Sequence, residues 1–404
     1  MTGIFRGRTY WGRNEIKPRY DVVIIGGGAH GLGAAYYLGK NHGVTDVAVL
    51  EMNYIGAGGS GRNTTIIRSN YRTPEGIRFY ERSMQLYAGL GAEVDFNLML
   101  SRHGHFTLAH TDSSVRVQRE RAEMNQALGV DSRLIFRDEI AELCPELNLS
   151  EDVPYPIQAA LYHPPGAVLR HDAVVWGYAT GAAKQGAHIH QGVQVTGIRK
   201  DANGKCIGVD TNKGPIDAGV VICAVAGWTT QITDMAGIRT PITNHALQAY
   251  VTEPVKPMLH KIVVSANLHV YISQTDRGEF LIGAEIEPYT TYSLRSTFSF
   301  VEHATANALD LLPFLARLKI LRQWAGYCDM TPDYSPIMGE TPVENFYLDA
   351  GWGTWGFKAS AVCGETMAEM AATRRTPDLI APFRLSRFRD EELVPEKAAA
   401  SVSH

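Results

Sequence analysis

Apolar residues along this chain follow two rhythms. Asp21-Val22-Val23-Ile24-Ile25 is an unbroken β-branched run, which predicts a short strand buried on both faces, as in a parallel sheet. Glycines follow. Then Ala34-Ala35-Tyr36-Tyr37-Leu38 reads as a helix and Val47-Ala48-Val49-Leu50 as the next strand. Strand, helix and strand within about 30 residues make a βαβ unit. Over 74–93 the rhythm changes: Ile77, Tyr80, Met84 and Tyr87 recur on one helical face. His171 opens another helical stretch to about Lys184. Strand-like pieces fall at 188–198, 206–210 and 219–224, with Asn203-Gly204 and Lys213-Gly214 as turns between them. The stretch 246–300 is again strand-rich, 343–350 reads as a strand and 357–373 as a helix.

These pieces predict two interleaved domains. One is assembled from 20–98, 160–240 and 320–390. The other comes from 99–159 and 241–319, where short strands such as Phe106–Ala109 mix with charged helices. Residues 1–19 read as an irregular arm with aromatic anchors Phe5, Tyr10 and Trp11. Residues 391–404 read as a tail, mobile after Val394.

Composition narrows the function. At 404 residues and 45% hydrophobic, the chain is long enough for two cores. A net charge of −4 with no basic block excludes a nucleic-acid surface. Five cysteines without a CxxC pair point away from disulfides and zinc and fit a reducing compartment. The basic N-terminus lacks the apolar stretch of a secretory signal, and no run is long enough to span a membrane. A cytoplasmic location is therefore expected.

The candidate chemistry begins at Gly26-Gly27-Gly28-Ala29-His30-Gly31, which fits G-x-G-x-x-G between a strand and a helix. Gly26 permits the tight turn, Gly28 lets backbone approach a pyrophosphate, and Gly31 lets the helix pack on the sheet. The helix N-terminus then offers amides to the phosphates. Glu51, at the end of the second strand, would accept hydrogen bonds from ribose hydroxyls. Two further features favour FAD over NAD. Gly56 to Asn63 forms a second glycine-rich loop, bringing Gly59, Ser60, Arg62, Asn63 and Thr64 towards a flavin. Late in the chain, Gly351-Trp352-Gly353-Thr354-Trp355-Gly356 precedes another helix, whose positive end suits a reduced flavin. Gly353, Thr354 and Gly356 are the candidate contacts. No metal-ligand pattern is present among the histidines.

Three longer strings are more specific: Arg62-Asn63-Thr64-Thr65-Ile66-Ile67-Arg68-Ser69-Asn70-Tyr71, Arg170-His171-Asp172-Ala173-Val174-Val175-Trp176, and Gly351 to Lys358. With them the chain resembles the D-amino-acid oxidase and glycine oxidase superfamily, and within it the β subunits of heterotetrameric sarcosine oxidase, from about Tyr20 to Phe388. The resemblance implies an α/β fold: an FAD-binding Rossmann-like domain of glutathione-reductase type, interleaved with an antiparallel-sheet α+β substrate domain. It implies FAD held non-covalently, with Arg68 and Lys358 clamping the carboxylate of a small N-methyl amino acid. It implies FMN bound covalently to His171, which on its own would read as a capping or surface residue at a helix start. Finally, it implies α, γ and δ partner subunits, with the FMN at the α–β boundary.

The implied reaction is hydride transfer from an N-methyl C–H of sarcosine to FAD, then electron transfer to the FMN. The cysteine tether of the monomeric relatives would fall near Gly326; Cys328 is displaced from it and is not assigned as a tether. Where those relatives place a lysine above the flavin, Phe280-Leu281-Ile282-Gly283 has none, which fits electrons leaving by the FMN. Trp355 stands where the β subunits usually carry glycine. That departure keeps N-methylglutamate open as the substrate, as in a dehydrogenase of that type. A stand-alone FAD amino-acid or amine oxidase and a pure electron-carrier subunit are the other readings.

Overall fold

The computed structural model describes residues 11–396. Phe5 and Tyr10 of the arm and the last eight residues of the tail lie outside that range. Trp11 rests against the larger core.

The first sheet runs in the order Val195–Lys200, Cys206–Thr211, Gly214–Cys223, Arg19–Ile25, Val47–Glu51 and His188–Gln191, with Phe346–Ala350 parallel to Gly214–Cys223 and Ile337–Glu340 antiparallel beyond it. Arg19–Ile25 is parallel to both its neighbours. Its residues alternate between two cores: Val22 and Ile24 face the helices, while Val23 and Ile25 face the opposite side. That is why the run is apolar throughout rather than alternating. The helices Ala29–His42, His171–Lys184 and Gly356–Thr373 form the covering layer. Ala29–His42 and Gly356–Thr373 pack backbone to backbone at Gly33 and Gly364; a Cβ on Gly364 would stand 2.7 Å from the Gly33 carbonyl carbon.

The second sheet runs Ile320–Met330, Thr243–Thr252, Phe280–Thr290, Val270–Gln274, Ile262–Ser265, His105–Ala109, Ala159–His163 and Arg133–Phe136. All its pairs are antiparallel except Ile262–Ser265 with His105–Ala109. Ile320–Met330, expected with the dinucleotide-binding domain, pairs with Thr243–Thr252 over its whole length instead. Phe106, Leu108, Val263, Val270, Ile272 and Ile282 point to a core closed by the helix Phe298–Leu311. The alternate residues His105, Thr107, Val264 and Tyr271 point the other way, into a cleft shared with the first sheet. Among the described residues no helix is long and apolar enough to cross a membrane.

The tail, expected to be loose beyond Val394, is tied down as far as residue 396. Arg387 and Asp333, both fully buried, form a two-bond fork at 2.8 and 2.9 Å. Val394 N–H donates to the same carboxylate at 3.0 Å. Glu396, 1% exposed, accepts from Arg72 N–H and Thr73 N–H at 3.1 and 2.8 Å. Its carboxylate thereby sits before the positive end of Pro74–Glu93, whose cap is Thr73, with Oγ1 accepting from Gly76 N–H at 3.1 Å.

Candidate active site

The cleft between the sheets has a volume of about 1050 Å³. The glycine fingerprint forms one end. Gly26 has φ +110°, and a Cβ there would stand 2.3 Å from Ala224 O. A Cβ on Gly31 would stand 2.1 Å from Gly26 O, so the turn closes only with glycine at both places. Gly28 precedes the helix with no side-chain cap of its own, and Ser60 Oγ accepts the Ala29 N–H at 2.9 Å. Glu51 is anchored by Gly27 N–H and Asn53 N–H at 2.9 and 2.8 Å, and its remaining lone pairs are available to the cleft that it lines. Here the residues suit a dinucleotide: glycine backbone at a helix N-terminus and a fixed carboxylate a short distance away.

The loop after Glu51 is held by its own side chains. Arg62 donates to the carbonyls of Ala57 and Gly58. Asn63 donates to Ser60 O and accepts from Thr65 N–H at 2.7 Å, where Thr65 adopts φ +62°. Trp324 Nε1 donates to Arg62 O at 2.8 Å, tying this loop to the second sheet. Gly59, Ser60, Arg62, Asn63 and Thr64 all line the cleft, as do Gly353, Thr354 and Gly356.

The late loop is fastened to the fingerprint by His30. Its Nε2 donates to Gly356 O at 2.6 Å, and its Nδ1 meets both Asp349 oxygens at 3.0 Å. Both ring nitrogens therefore carry protons. Burial opposes that charge, but Asp349, the Gly356 carbonyl and Asp329 together outweigh it and raise the imidazole above its ordinary range. His30, Asp349 and Cys363 lie close together, yet neither ring nitrogen has a lone pair left for a metal. Gly351 N–H donates to Asp329 Oδ2 at 2.7 Å, and burial pushes that carboxyl up to about 6.

Arg68 and Lys358 enter the cleft from different layers. Arg68 donates to Asn70 O and Oδ1 at 3.0 and 2.9 Å and lies 4.3 Å from the Tyr71 ring centre. Lys358 lies in the first turn of Gly356–Thr373. Burial first, and the Arg68 charge second, pull its ammonium well below the usual lysine range. No described residue accepts a hydrogen bond from it.

The remaining sites divide. His171 is the first residue of its helix and does not line the cleft. Burial is the main cause that lowers its basicity, with Arg170, Arg322 and Arg277 acting in the same direction. Cys328 is fully buried, its thiol pushed up by burial, and it too is absent from the cleft wall, whereas Gly326 lines it. A Cβ on Gly283 would overlap the Tyr271 phenol, which fills the position above that strand. Trp355 lines nothing: it is buried in the larger core.

Sequence reading missed Arg121. It projects from Asp112–Ala127, is 6% exposed, and donates to Asn70 O at 2.8 Å, beside Arg68. Burial, then the Arg68 charge, lower it to about 9. Gln118 and Asn125 are buried on the same helix. Their helical spacing was visible, but polar residues at that spacing read as a solvated face.

Residues 21–370 match the family of FAD dependent oxidoreductases. The chain is 43% identical to sarcosine oxidase subunit beta of Arthrobacter sp over 98% of this chain and 97% of that one. It is also 43% identical to the same subunit of Rhizobium meliloti, over 96% and 92%. L-proline dehydrogenase of P. horikoshii superposes with a TM-score of 0.89 at 30% identity, over 94% of this chain and 100% of that one. Glycine oxidase of Geobacillus kaustophilus shares the fold, with a TM-score of 0.82 at 23% identity, over 92% and 99%. The chain belongs to the FAD dependent oxidoreductase family, as an enzyme acting on amine donors and closely similar to sarcosine oxidase β subunits.

Proposed function

We propose that this chain is the flavin-bearing catalytic subunit of a sarcosine oxidase-type complex that oxidatively demethylates sarcosine. The observation carrying this reading is the meeting of Arg68 and Lys358 in one cleft with the dinucleotide cradle. Two buried cations, one with no hydrogen-bond acceptor among the described residues, suit a small carboxylate. FAD, held non-covalently at the cradle, supplies the two-electron acceptor.

The chain's own residues do the rest. Arg68, pinned by Asn70, gives the substrate carboxylate a fixed direction, and Lys358 adds a point charge. Fixing the carboxylate restricts the N-methyl carbon three bonds further on, and such positioning is a large part of the acceleration. The same cations disfavour the substrate's ammonium form, so the amine reacts neutral, with its lone pair free to stabilise the iminium. That iminium is hydrolysed to formaldehyde or passes its carbon to tetrahydrofolate on a partner.

A second flavin, FMN carried covalently on His171, completes the reading, with α, γ and δ subunits as partners and the cytoplasm as location. The support is a half-buried imidazole outside the cleft, whose basicity is lowered by burial and by the charges of Arg170, Arg322 and Arg277. Relatives named subunit beta imply companion subunits.

One observation favours a longer substrate. The cleft continues past Arg68 to Arg121, Arg72, Ser113 and Ser114, which would suit a second acidic group, as in N-methylglutamate.

The test uses the protein co-expressed with its partners. Anaerobic addition of sarcosine should bleach the flavin, and Arg68→Ala should abolish this at the same concentration. Faster bleaching by N-methylglutamate would move the substrate assignment. Bleaching by neither would remove the proposed reaction. After denaturation, flavin mass on the peptide containing His171, with FAD released, is expected; a colourless chain would favour a stand-alone FAD oxidase.

A further inference from the structure

The second sheet presents a polar patch to the cleft that the carboxylate clamp leaves unused. His105 and Thr107 lie on one strand, two residues apart, and so share a face. Thr107 is in register with Val264, and Val264 with Tyr271, so all three project on the same side. His105 and Thr107 are 2% and 7% exposed and line the cleft. His105 Nδ1 and Thr107 Oγ1 are buried with no hydrogen-bond partner.

Buried polar atoms without partners are few in folded proteins and call for a reason. The neighbouring histidine shows the contrast. His163, directly across from His105 in the sheet, uses both nitrogens: Nδ1 donates to Asp131 O at 2.7 Å and Nε2 accepts Ser69 N–H at 3.3 Å. No described residue bonds either nitrogen of His105. Burial, followed by the charges of Arg68, His163, Arg121 and Lys358, keeps the His105 ring neutral. A neutral imidazole always has one nitrogen that accepts.

With a carboxylate on the clamp Lys358 is charged, so Arg68, Arg121 and Lys358 around it only donate. A secondary amine entering with its carboxylate on the clamp brings an N–H that also donates and that loses water on entry. Leaving such a donor unmet is costly. The lone pair on that nitrogen must remain free for the oxidation, so the protein's contact has to be made to the hydrogen.

We infer that His105 is the amine-recognition residue of this cleft, its imidazole accepting the substrate's N–H and so selecting amines over carboxylates of equal shape that lack it. This rests on the proposed amine-oxidising site.

The test compares two ligands of the flavin-loaded protein by the absorbance change of the flavin. One is N-methylglycine under anaerobic conditions, read in the first rapid phase before bleaching. The other is methoxyacetate, which replaces N–H by an ether oxygen. His105→Val is expected to weaken N-methylglycine about tenfold, the value of one such hydrogen bond, and to change methoxyacetate less than twofold. His105→Gln, which retains an acceptor, is expected to recover most of the loss. Equal weakening of both ligands, with no recovery by glutamine, would make His105 structural and overturn the inference. So would unchanged binding of both. If neither ligand perturbs the wild-type flavin, the amine-oxidising reading itself falls, and the inference with it.

Discussion

Trp355 lies flat against Tyr71, with ring centres 4.9 Å apart and planes 4° from parallel. Tyr71 in turn supports Arg68, whose guanidinium is 4.3 Å from its ring centre. Trp355 therefore lines neither the cleft nor the surface; it is 3% exposed. It reaches the site through the Tyr71 ring and also adjoins Gly353 of the cleft wall. Tyr80 closes the stack, 5.6 Å from Trp355.

Removing that ring should matter twice. Trp355→Gly is expected to cost about 3–5 kcal/mol of stability, as large aromatic truncations in cores do, read by denaturant unfolding. It should also weaken carboxylate ligands several-fold, because Tyr71 then has room to retreat with Arg68. Trp355→Phe should retain most of both. Carboxylate affinity in Trp355→Gly equal to wild type would show that the stack is packing alone.

Lys358 should take up a proton when a carboxylate binds. Its ammonium is held below the usual range by burial and by Arg68; an anion beside it restores the charged form. Affinity should therefore fall as pH rises through the lowered value. Calorimetry in two buffers of different ionisation heat should show uptake, and Lys358→Met should lack it. Equal heats in both buffers for the wild type would contradict this.

Asp329 should make the fold less stable as pH rises. Its carboxyl is pushed up to about 6 by burial, against about 3.9 in an unfolded chain. A raised carboxyl favours the folded state while protonated, so that contribution is full below about pH 4 and is lost as pH climbs through about 6. Two units correspond to about 3 kcal/mol. Asp329→Asn should thus gain on the wild type between pH 4.5 and 7.5 in unfolding experiments. A constant difference over that range would mean that the group does not titrate there.

Glu396→Ala should lower stability by about 1–3 kcal/mol, the cost of leaving the Arg72 and Thr73 N–H donors without their acceptor. It should also raise KM more than it lowers kcat, since Arg72 and Thr73 continue the segment that carries Arg68. A change in melting temperature with KM untouched would limit Glu396 to a structural role.

Most of the frame was legible because its signals are local. Asp21 to Ile25 had to be a doubly buried strand, and His171 to Lys184 falls where its helix was expected. The glycine turns were legible for a steric reason that admits no other residue. Ile320–Met330 was misplaced because a strand's sequence does not state which sheet it joins. Arg121, His105 and Glu396 were silent for a related reason. Each is an ordinary polar residue whose burial depends on elements far away in sequence, so no window around it carries the information.

Glu396 also bears on the order of synthesis. The segment that presents Arg68 is made early, but the carboxylate facing the N-terminus of the helix after it is that of Glu396, far along the chain. A ribosome that has released the first hundred residues has made Arg68 without that carboxylate. The strand Phe346–Ala350, parallel to Gly214–Cys223, arrives late as well. The helix that follows Arg68 therefore meets the carboxylate at its N-terminus only after the strands and helices between them in sequence have been made.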